Sequence, residues 1–151
     1  WGDYPYVTSS HCTVGSALLN GVPPNSIRDV WGVAKIYETY VGAKDFEGPY
    51  DEFDLIRSLG EEYGATTGRA RQINWLDFDL LKMSTRINGV NKVVFNKMDI
   101  LDEVGKWCVY DGPHALEFDS RDDIEFWLTT KLHMLVNEDI DVFFSGDKEY
   151  I

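Results

Sequence analysis

The sequence is poor in the residues that build disulfide frameworks and metal sites. Its 151 residues include two cysteines, Cys12 and Cys108, and three histidines. The cysteines lie far apart and form no C-x-x-C pattern, and the histidines are isolated and lack metal-ligand spacing. We therefore expect two reduced thiols, a cytoplasmic location and no metal site in this chain.

Long apolar runs and an excess of basic charge are also missing. No apolar stretch approaches the roughly 18 residues that a membrane-spanning helix needs, so we expect no membrane partner. The chain has 26 Asp and Glu against 14 Lys and Arg, which gives a formal net charge of -12. Nucleic acid is a poor partner for such a protein, because phosphates require a basic face. The first residue is Trp rather than Met, so we expect a part of something longer.

What is present fits one globular domain. Apolar residues make up 44% of the chain and aromatic residues 14%, which predicts a real hydrophobic core. Periodicity predicts helices beginning at Ile27 and over residues 51–59, 75–87 and 122–136, and strands over residues 35–41, 92–95, 107–110 and 140–144. This alternation indicates an α/β fold with a mostly parallel sheet flanked by helices. Ligands bind such sheets at the carboxyl ends of the strands.

The stretch GATTGRAR, Gly64 to Arg71, combines two threonines and two arginines on a glycine-rich loop. Threonine hydroxyls and backbone N–H groups can hold a carboxylate, and arginine binds carboxylate or phosphate through two parallel hydrogen bonds. The loop is therefore a candidate receptor for a small anion, and the alternative is a flexible surface turn with solvated arginines. The acidic pair Glu61-Glu62 just before it is interpreted as solvated or helix-start charges.

The stretch NKMD, Asn96 to Asp99, follows the apolar run KVVF. N-K-x-D after a buried strand is the guanine-reading pattern of GTP-binding proteins. Guanine presents two donors on one edge, which a carboxylate accepts, whereas adenine presents an acceptor that Asp99 would repel. The alternative is an exposed turn. No G-x-x-x-x-G-K-[ST] motif occurs, so the chain contains at most half of a GTP site.

Five stretches in order match one family: YPYVTSSH, YVGAKDF, EEYGATTGRARQINWLD, FNKMDILDE and DIDVFFSGDKE. Together they resemble the C-terminal portion of the adenylosuccinate synthetase family over nearly the whole chain. The resemblance implies that residues 1–151 form the C-terminal part of a P-loop-NTPase-like synthetase fold. It also implies GTP-dependent ligation of IMP and L-aspartate to adenylosuccinate by a cytoplasmic homodimer. GTP would phosphorylate the 6-oxygen of IMP, and the amino group of aspartate would then displace that phosphate.

The resemblance also implies site residues. The L-aspartate site would comprise Ala65, Thr66, Thr67, Gly68, Arg69, Ala70 and Arg71. The IMP site would comprise Thr8, Val41, Gly42 and Arg69. The GTP site would comprise Arg71, Lys97, Met98, Asp99, Ser145 and Gly146. The catalytic residues and most ligands of the required Mg2+ belong to the family's N-terminal half, so that half is an expected partner and this chain alone should be inactive.

Two positions depart from the family pattern. Phe144 stands where the family usually has a serine in its last guanine contact, and Tyr40 stands where an arginine often precedes Val-Gly-Ala. Two other readings stay open. One is a viral-type relative that makes 2-aminoadenylosuccinate with an adenine nucleotide as donor, against which the retained NKMD argues. The other is a non-catalytic nucleotide-binding or interaction remnant, which Phe144 and the missing half favour modestly.

Overall fold

Strands and helices alternate along the chain in a computed structural model that describes residues 4–7 and 10–146. The strands are β1 (Trp31–Lys35), β2 (Tyr37–Tyr40), β3 (Gln72–Asp77), β4 (Lys92–Asn96), β5 (Trp107–Asp111), β6 (His114–Phe118) and β7 (Asp141–Phe144). The helices are α1 (Gly15–Leu19), α2 (Glu52–Leu59), α3 (Phe78–Asn88), α4 (Met98–Val104) and α5 (Arg121–Leu135), with a short 3-10 turn at Pro24–Ser26.

The strands form two sheets. One is three-stranded and wholly parallel, in the order β1-β4-β7. The other has the order β2-β3-β5-β6, with β3 and β5 parallel and the two outer pairs antiparallel. The predicted α/β fold with a parallel sheet flanked by helices is thus confirmed. The antiparallel outer strands are an addition to it, since β5 and β6 form a hairpin that the sequence did not predict.

The core lies around β4 and the inner faces of the helices. Val93 and Phe95 of β4 are almost fully buried, as are Ile56 of α2 and Leu128 of α5. Burying a side chain of this size contributes about 1.5–3 kcal/mol. The Trp75 ring packs edge-on against Phe53 with ring centroids 5.0 Å apart. The core therefore fixes the positions of β4 and α2, which both border the site described below.

The predicted elements over residues 51–59, 92–95, 107–110, 122–136 and 140–144 are confirmed to within two residues. The predicted helix beginning at Ile27 is wrong. Trp31–Lys35 instead alternates, with Trp31 and Val33 exposed between less exposed neighbours, and it pairs with β4. The helix predicted from Trp75 is wrong at its start, because residues 72–77 are β3. The Asp77 side chain accepts a hydrogen bond from the Leu80 N–H and begins α3 there.

Candidate functional site

A cavity of about 550 Å³ opens at the carboxyl ends of β4 and β7. Its lining comes from the end of α2, the β4–α4 turn and the segment after β7: Leu59, Gly60, Glu61, Asn96, Lys97, Asp99, Ile100, Ser145 and Gly146. This is the edge of a parallel sheet at which ligands bind. Five of the residues that the resemblance implied for GTP come from these elements, and four of them line the cavity. The fifth, Met98, is fully buried.

The β4–α4 turn is shaped by Lys97. Its backbone is left-handed (φ 65°, ψ 24°), a conformation uncommon for residues other than glycine. The Lys97 Nζ donates a hydrogen bond of 3.2 Å to the Gly60 carbonyl. The backbone of Ser145 fixes the turn, because its N–H donates to the Phe95 carbonyl (2.8 Å) and its carbonyl accepts from the Met98 N–H (3.2 Å).

Two buried oxygens at the cavity accept no hydrogen bond from the described part of the protein. They are Oδ1 of Asn96 and Oδ1 of Asp99. A buried acceptor without a donor costs about 1–3 kcal/mol of folding free energy. Unpartnered acceptors of this kind are expected at a binding site, where a ligand supplies the missing donors. Gly146 packs closely against Asp99, since a Cβ at Gly146 would lie 2.9 Å from the Asp99 Cβ. A residue larger than glycine at position 146 would therefore displace the carboxylate.

The GATTGRAR loop folds back on itself. Tyr63 and Ala70 form an isolated antiparallel bridge. The Gly64 N–H donates to the Arg69 carbonyl and the Gly68 N–H to the Gly64 carbonyl, both at 2.8 Å. Gly68 has a φ of +64°, which favours glycine at the turn. The predicted anion-binding residues 65–70 are all exposed to solvent.

The structure brings together two of the residues implied for IMP. The Arg69 Nη2 donates a hydrogen bond of 3.4 Å to the Gly42 carbonyl. Val41 lies next to Gly42 and is 50% exposed. Thr8 lies outside the described residues, so the structure says nothing of its position.

Phe144 stacks on Phe95 with centroids 5.3 Å apart, which directs its ring to the core side of β7.

Glu62 is the residue that sequence reasoning missed. Its side chain is 2% exposed, so the interpretation as a solvated charge is wrong for Glu62, whereas Glu61 is exposed. Its Oε1 accepts hydrogen bonds from the Lys35 Nζ (2.6 Å) and the Tyr37 hydroxyl (2.9 Å). Its Oε2 accepts from the Arg71 Nη1 (2.9 Å). Neither Lys35 nor Tyr37 is near Glu62 in sequence, so no local pattern could have found this cluster.

The cluster holds Glu62 as a carboxylate. Burial acts to raise its pKa, but the hydrogen bonds from Lys35 and Tyr37 and the charges of Lys35 and Arg71 outweigh burial and lower the pKa below its usual value. For Tyr37, burial and then the Glu62 charge raise the pKa of the phenol well above its usual range. Around the loop and the cavity, the basic side chains of Lys35, Arg71 and Lys97 therefore lie beside the acidic side chains of Glu61, Glu62 and Asp99.

The described residues also contain a second cavity and two cysteines, and they bear on the predictions about metal and membrane binding. A second cavity, of about 750 Å³, runs along β1, β2 and α3, and Val30, Leu76, Leu80 and Val93 are among its apolar lining residues. Within residues 4–7 and 10–146, no group of three or more His, Cys, Asp or Glu side chains could hold a metal ion. Cys12 and Cys108 are both free thiols. No helix in the described part of the chain is long and apolar enough to cross a membrane.

Comparisons with known proteins agree on one family. The family model for adenylosuccinate synthetase matches residues 1–112. The chain is 43% identical over 125 residues to the adenylosuccinate synthetase of Syntrophomonas wolfei, covering 78% of this chain and 29% of that protein. It is 44% identical over 122 residues to the one from Deinococcus radiodurans, covering 74% of this chain and 30% of that protein.

A solved structure gives the same result for the fold. The fully ligated adenylosuccinate synthetase of Plasmodium falciparum superposes with a TM-score of 0.65 at 33% identity, covering 78% of this chain and 30% of that chain. In each of these comparisons the matched region spans less than a third of the relative's length.

Proposed function

The chain belongs to the adenylosuccinate synthetase family, and on that premise we propose that it carries part of an enzyme that ligates IMP and L-aspartate with GTP. In the proposed reaction, GTP phosphorylates the 6-oxygen of IMP, and the aspartate amino group displaces the phosphate to give adenylosuccinate. This chain contributes the recognition of guanine and the binding of aspartate. The phosphate transfer itself belongs to residues that this chain does not contain.

The pair of unpartnered acceptors at the β4–α4 turn carries the proposal. Guanine offers an N1–H and an exocyclic amine on one edge, and the buried Oδ1 atoms of Asp99 and Asn96 can accept from such donors. Adenine has an acceptor at N1, which a carboxylate repels. The stem of Lys97 lies beside the cavity, where it can cover the face of a base. Ser145 and Gly146 complete the wall, and the backbone of Met98 holds the turn.

The exposed loop is the second half of the proposal. Thr66, Thr67 and Arg69 bind the carboxylates of L-aspartate, since hydroxyls and a guanidinium are matched donors for them. The contact of Arg69 with Gly42 supports an IMP site next to this loop, formed by Val41, Gly42 and Arg69. The contribution proposed for Thr8 rests on the family resemblance alone. Arg71 is held at the base of the loop by Glu62, from which it reaches toward GTP.

The remaining components of the proposal come from outside this chain. The required partner is the N-terminal half of the enzyme, and the assembled enzyme is a homodimer in the cytoplasm. The free thiols Cys12 and Cys108 support that compartment. The described residues contain no group of three or more His, Cys, Asp or Glu side chains that could hold a metal ion. We assign the ligands of the Mg2+ that accompanies GTP mainly to the partner half on the family resemblance, and no step here depends on the metal.

Titration of the isolated chain with GDP and ADP tests the guanine site. We expect GDP to bind at least about tenfold more tightly than ADP, because one lost hydrogen bond to a charged group costs about 1.5–3 kcal/mol. Asp99→Asn should remove most of this preference. Glu103→Gln is the matched control, since Glu103 lies one turn further along α4 and is exposed. Intrinsic tryptophan fluorescence or calorimetry provides the readout.

The other outcomes separate the alternatives. A preference for ADP would favour the viral-type relative with an adenine nucleotide as donor. A folded chain that binds neither nucleotide would contradict the proposed guanine site and favour the non-catalytic remnant. An Asp99→Asn variant that keeps the full preference for GDP would show that another residue reads the base.

A further inference from the structure

Among residues 4–7 and 10–146, few contacts besides those at its base fix the Gly64–Arg71 loop. Residues 65–70 are exposed, and the hydrogen bonds from Gly64 and Gly68 stay within the loop. The contact from Arg69 to the Gly42 carbonyl is long, at 3.4 Å. At the base, by contrast, the Arg71 N–H donates to the Glu62 carbonyl at 3.0 Å, and the Arg57 Nε donates to the Arg71 carbonyl at 2.8 Å. The position of the loop is therefore decided where it leaves the protein body.

The carboxylate of Glu62 bridges that body and the loop. Its Oε1 lies on the strand side, where it accepts from Lys35 at the end of β1 and from Tyr37 at the start of β2. Its Oε2 lies on the loop side, where it accepts from Arg71. Tyr37 is 1% exposed, so the strand side of the bridge lies in the packed core. The loop is thus tied to a fixed point of the fold through one side chain.

Only an ionised carboxylate can make this bridge. It offers acceptors on both oxygens, whereas a glutamine of the same size offers one acceptor and one donor. In a Glu62→Gln variant, either the strand side or Arg71 must therefore face an N–H group. A buried ion also requires opposite charges beside it, and here Lys35 and Arg71 provide them on opposite sides.

The residues just before Glu62 border the cavity at the carboxyl ends of β4 and β7, which is called the nucleobase cavity below. Gly60 and Glu61 are part of its lining, and the Gly60 carbonyl accepts from the Lys97 Nζ. Gly60 and Glu61 line the cavity, and the next residue, Glu62, pairs with Arg71 of the loop. Three consecutive residues therefore connect the cavity to the loop. We propose that Glu62 is a positioning residue, which holds Arg71 and the rest of the Gly64–Arg71 loop in a fixed place beside the nucleobase cavity. The functional part of this inference rests on the function proposed above for the loop.

Amide hydrogen exchange followed by NMR tests the inference without any nucleotide. We expect Glu62→Gln to accelerate exchange at Gly64, Gly68 and Arg71 by about tenfold relative to the amides of β4. The matched control is Glu125→Gln, which removes a carboxylate that pairs with Arg121 on α5 and should leave the loop unchanged. If exchange rises by the same factor in the loop and in β4, Glu62 is merely structural and the inference is overturned.

Arg71→Met provides a second test in case Glu62→Gln does not fold. It leaves Glu62 paired with Lys35 and Tyr37, so the buried charge stays compensated. Loop exchange should rise about as much as in Glu62→Gln, and where both single variants fold, the double variant should exchange no faster than either. Unchanged loop exchange in Arg71→Met, or additive effects in the double variant, would overturn the inference.

Titration of the wild-type chain with L-aspartate keeps the two proposals separate. Amide shifts confined to the loop, and weakened in Glu62→Gln, would support both. No shift in the wild-type chain would count against the anion loop as an aspartate site. The exchange measurements would then still decide, independently, whether Glu62 positions the loop.

Discussion

A carboxylate with 2% of its side chain exposed stays ionised only if its partners outweigh the cost of burial. Glu62 meets this condition through three partners, of which Lys35 and Arg71 carry the opposite charge. Its neighbour Glu61 has the same side chain and is exposed. The different fates of two adjacent glutamates show that the sequence of a loop does not reveal which of its charges the fold will bury.

The lowered pKa of Glu62 predicts the acid sensitivity of the fold. Because the folded-state pKa lies below the unfolded-state value, the stability from this group is present above the unfolded-state pKa. It is lost as the pH falls through the folded-state pKa. Urea unfolding between pH 6 and pH 3 (about the range in which carboxylates titrate) should show a steeper loss of stability for the wild type than for Glu62→Gln.

The charged and titratable groups that face Glu62 do not change this sign. Lys35 and Arg71 are the cationic partners of Glu62, and burial, followed by the Glu62 charge, raises the pKa of Tyr37 above its usual range. Other carboxylates with lowered pKa values, such as Glu52, titrate in both proteins and cancel in the comparison. Parallel curves for the two proteins would contradict the prediction.

Helix α3 begins and ends at identifiable capping residues. The Asp77 side chain accepts the Leu80 N–H at 3.0 Å and so separates β3 from α3. Gly89 ends α3 with a φ of +59°, which favours glycine. The predicted end of this helix was correct and its predicted start was wrong. The glycine signal is local, whereas the strand before Asp77 exists because it pairs with β2 and β5.

Removal of the Asp77 cap should destabilise α3 by a measurable amount. We expect Asp77→Ala to lower the free energy of unfolding by about 0.5–2 kcal/mol, because the Leu80 N–H then loses its acceptor. Asp77→Asn keeps an acceptor oxygen at the same place, so it should cost only a few tenths of a kcal/mol. Chemical denaturation of both variants provides the measurement, and equal losses would show that charge rather than capping explains the effect.

At the scale of the whole molecule, the described residues contain the cavity at the carboxyl ends of β4 and β7 and the exposed loop from Gly64 to Arg71. Within the described residues, β1 pairs with β4 on one side only, and its Trp31 and Val33 are exposed. The sequence contains no phosphate loop, and the described residues contain no cluster for a metal ion. In the comparisons above, the matched region covers less than a third of each relative. Under the function proposed above, nucleotide binding by this chain should be measurable apart from catalysis.

We expect the isolated chain to show no L-aspartate-dependent turnover of GTP in the presence of IMP and Mg2+. Phosphate release is the measurement, and GDP binding by the same preparation is the control for a folded guanine site. Turnover above that of a blank without protein, dependent on L-aspartate, would contradict the assignment of the catalytic groups to the partner half.

The sequence by itself determined the features that depend on neighbouring residues. These include the buried strand before NKMD, the glycine-rich loop, the ends of α2 and α5, the glycine that ends α3 and the family resemblance, because each rests on a short pattern. The tertiary structure alone decided which groups meet. It gave β1 a strand conformation through pairing with β4, and it buried Glu62 among Lys35, Tyr37 and Arg71. The physical reason is that strand pairing and the compensation of a buried charge depend on contacts between residues distant in the sequence.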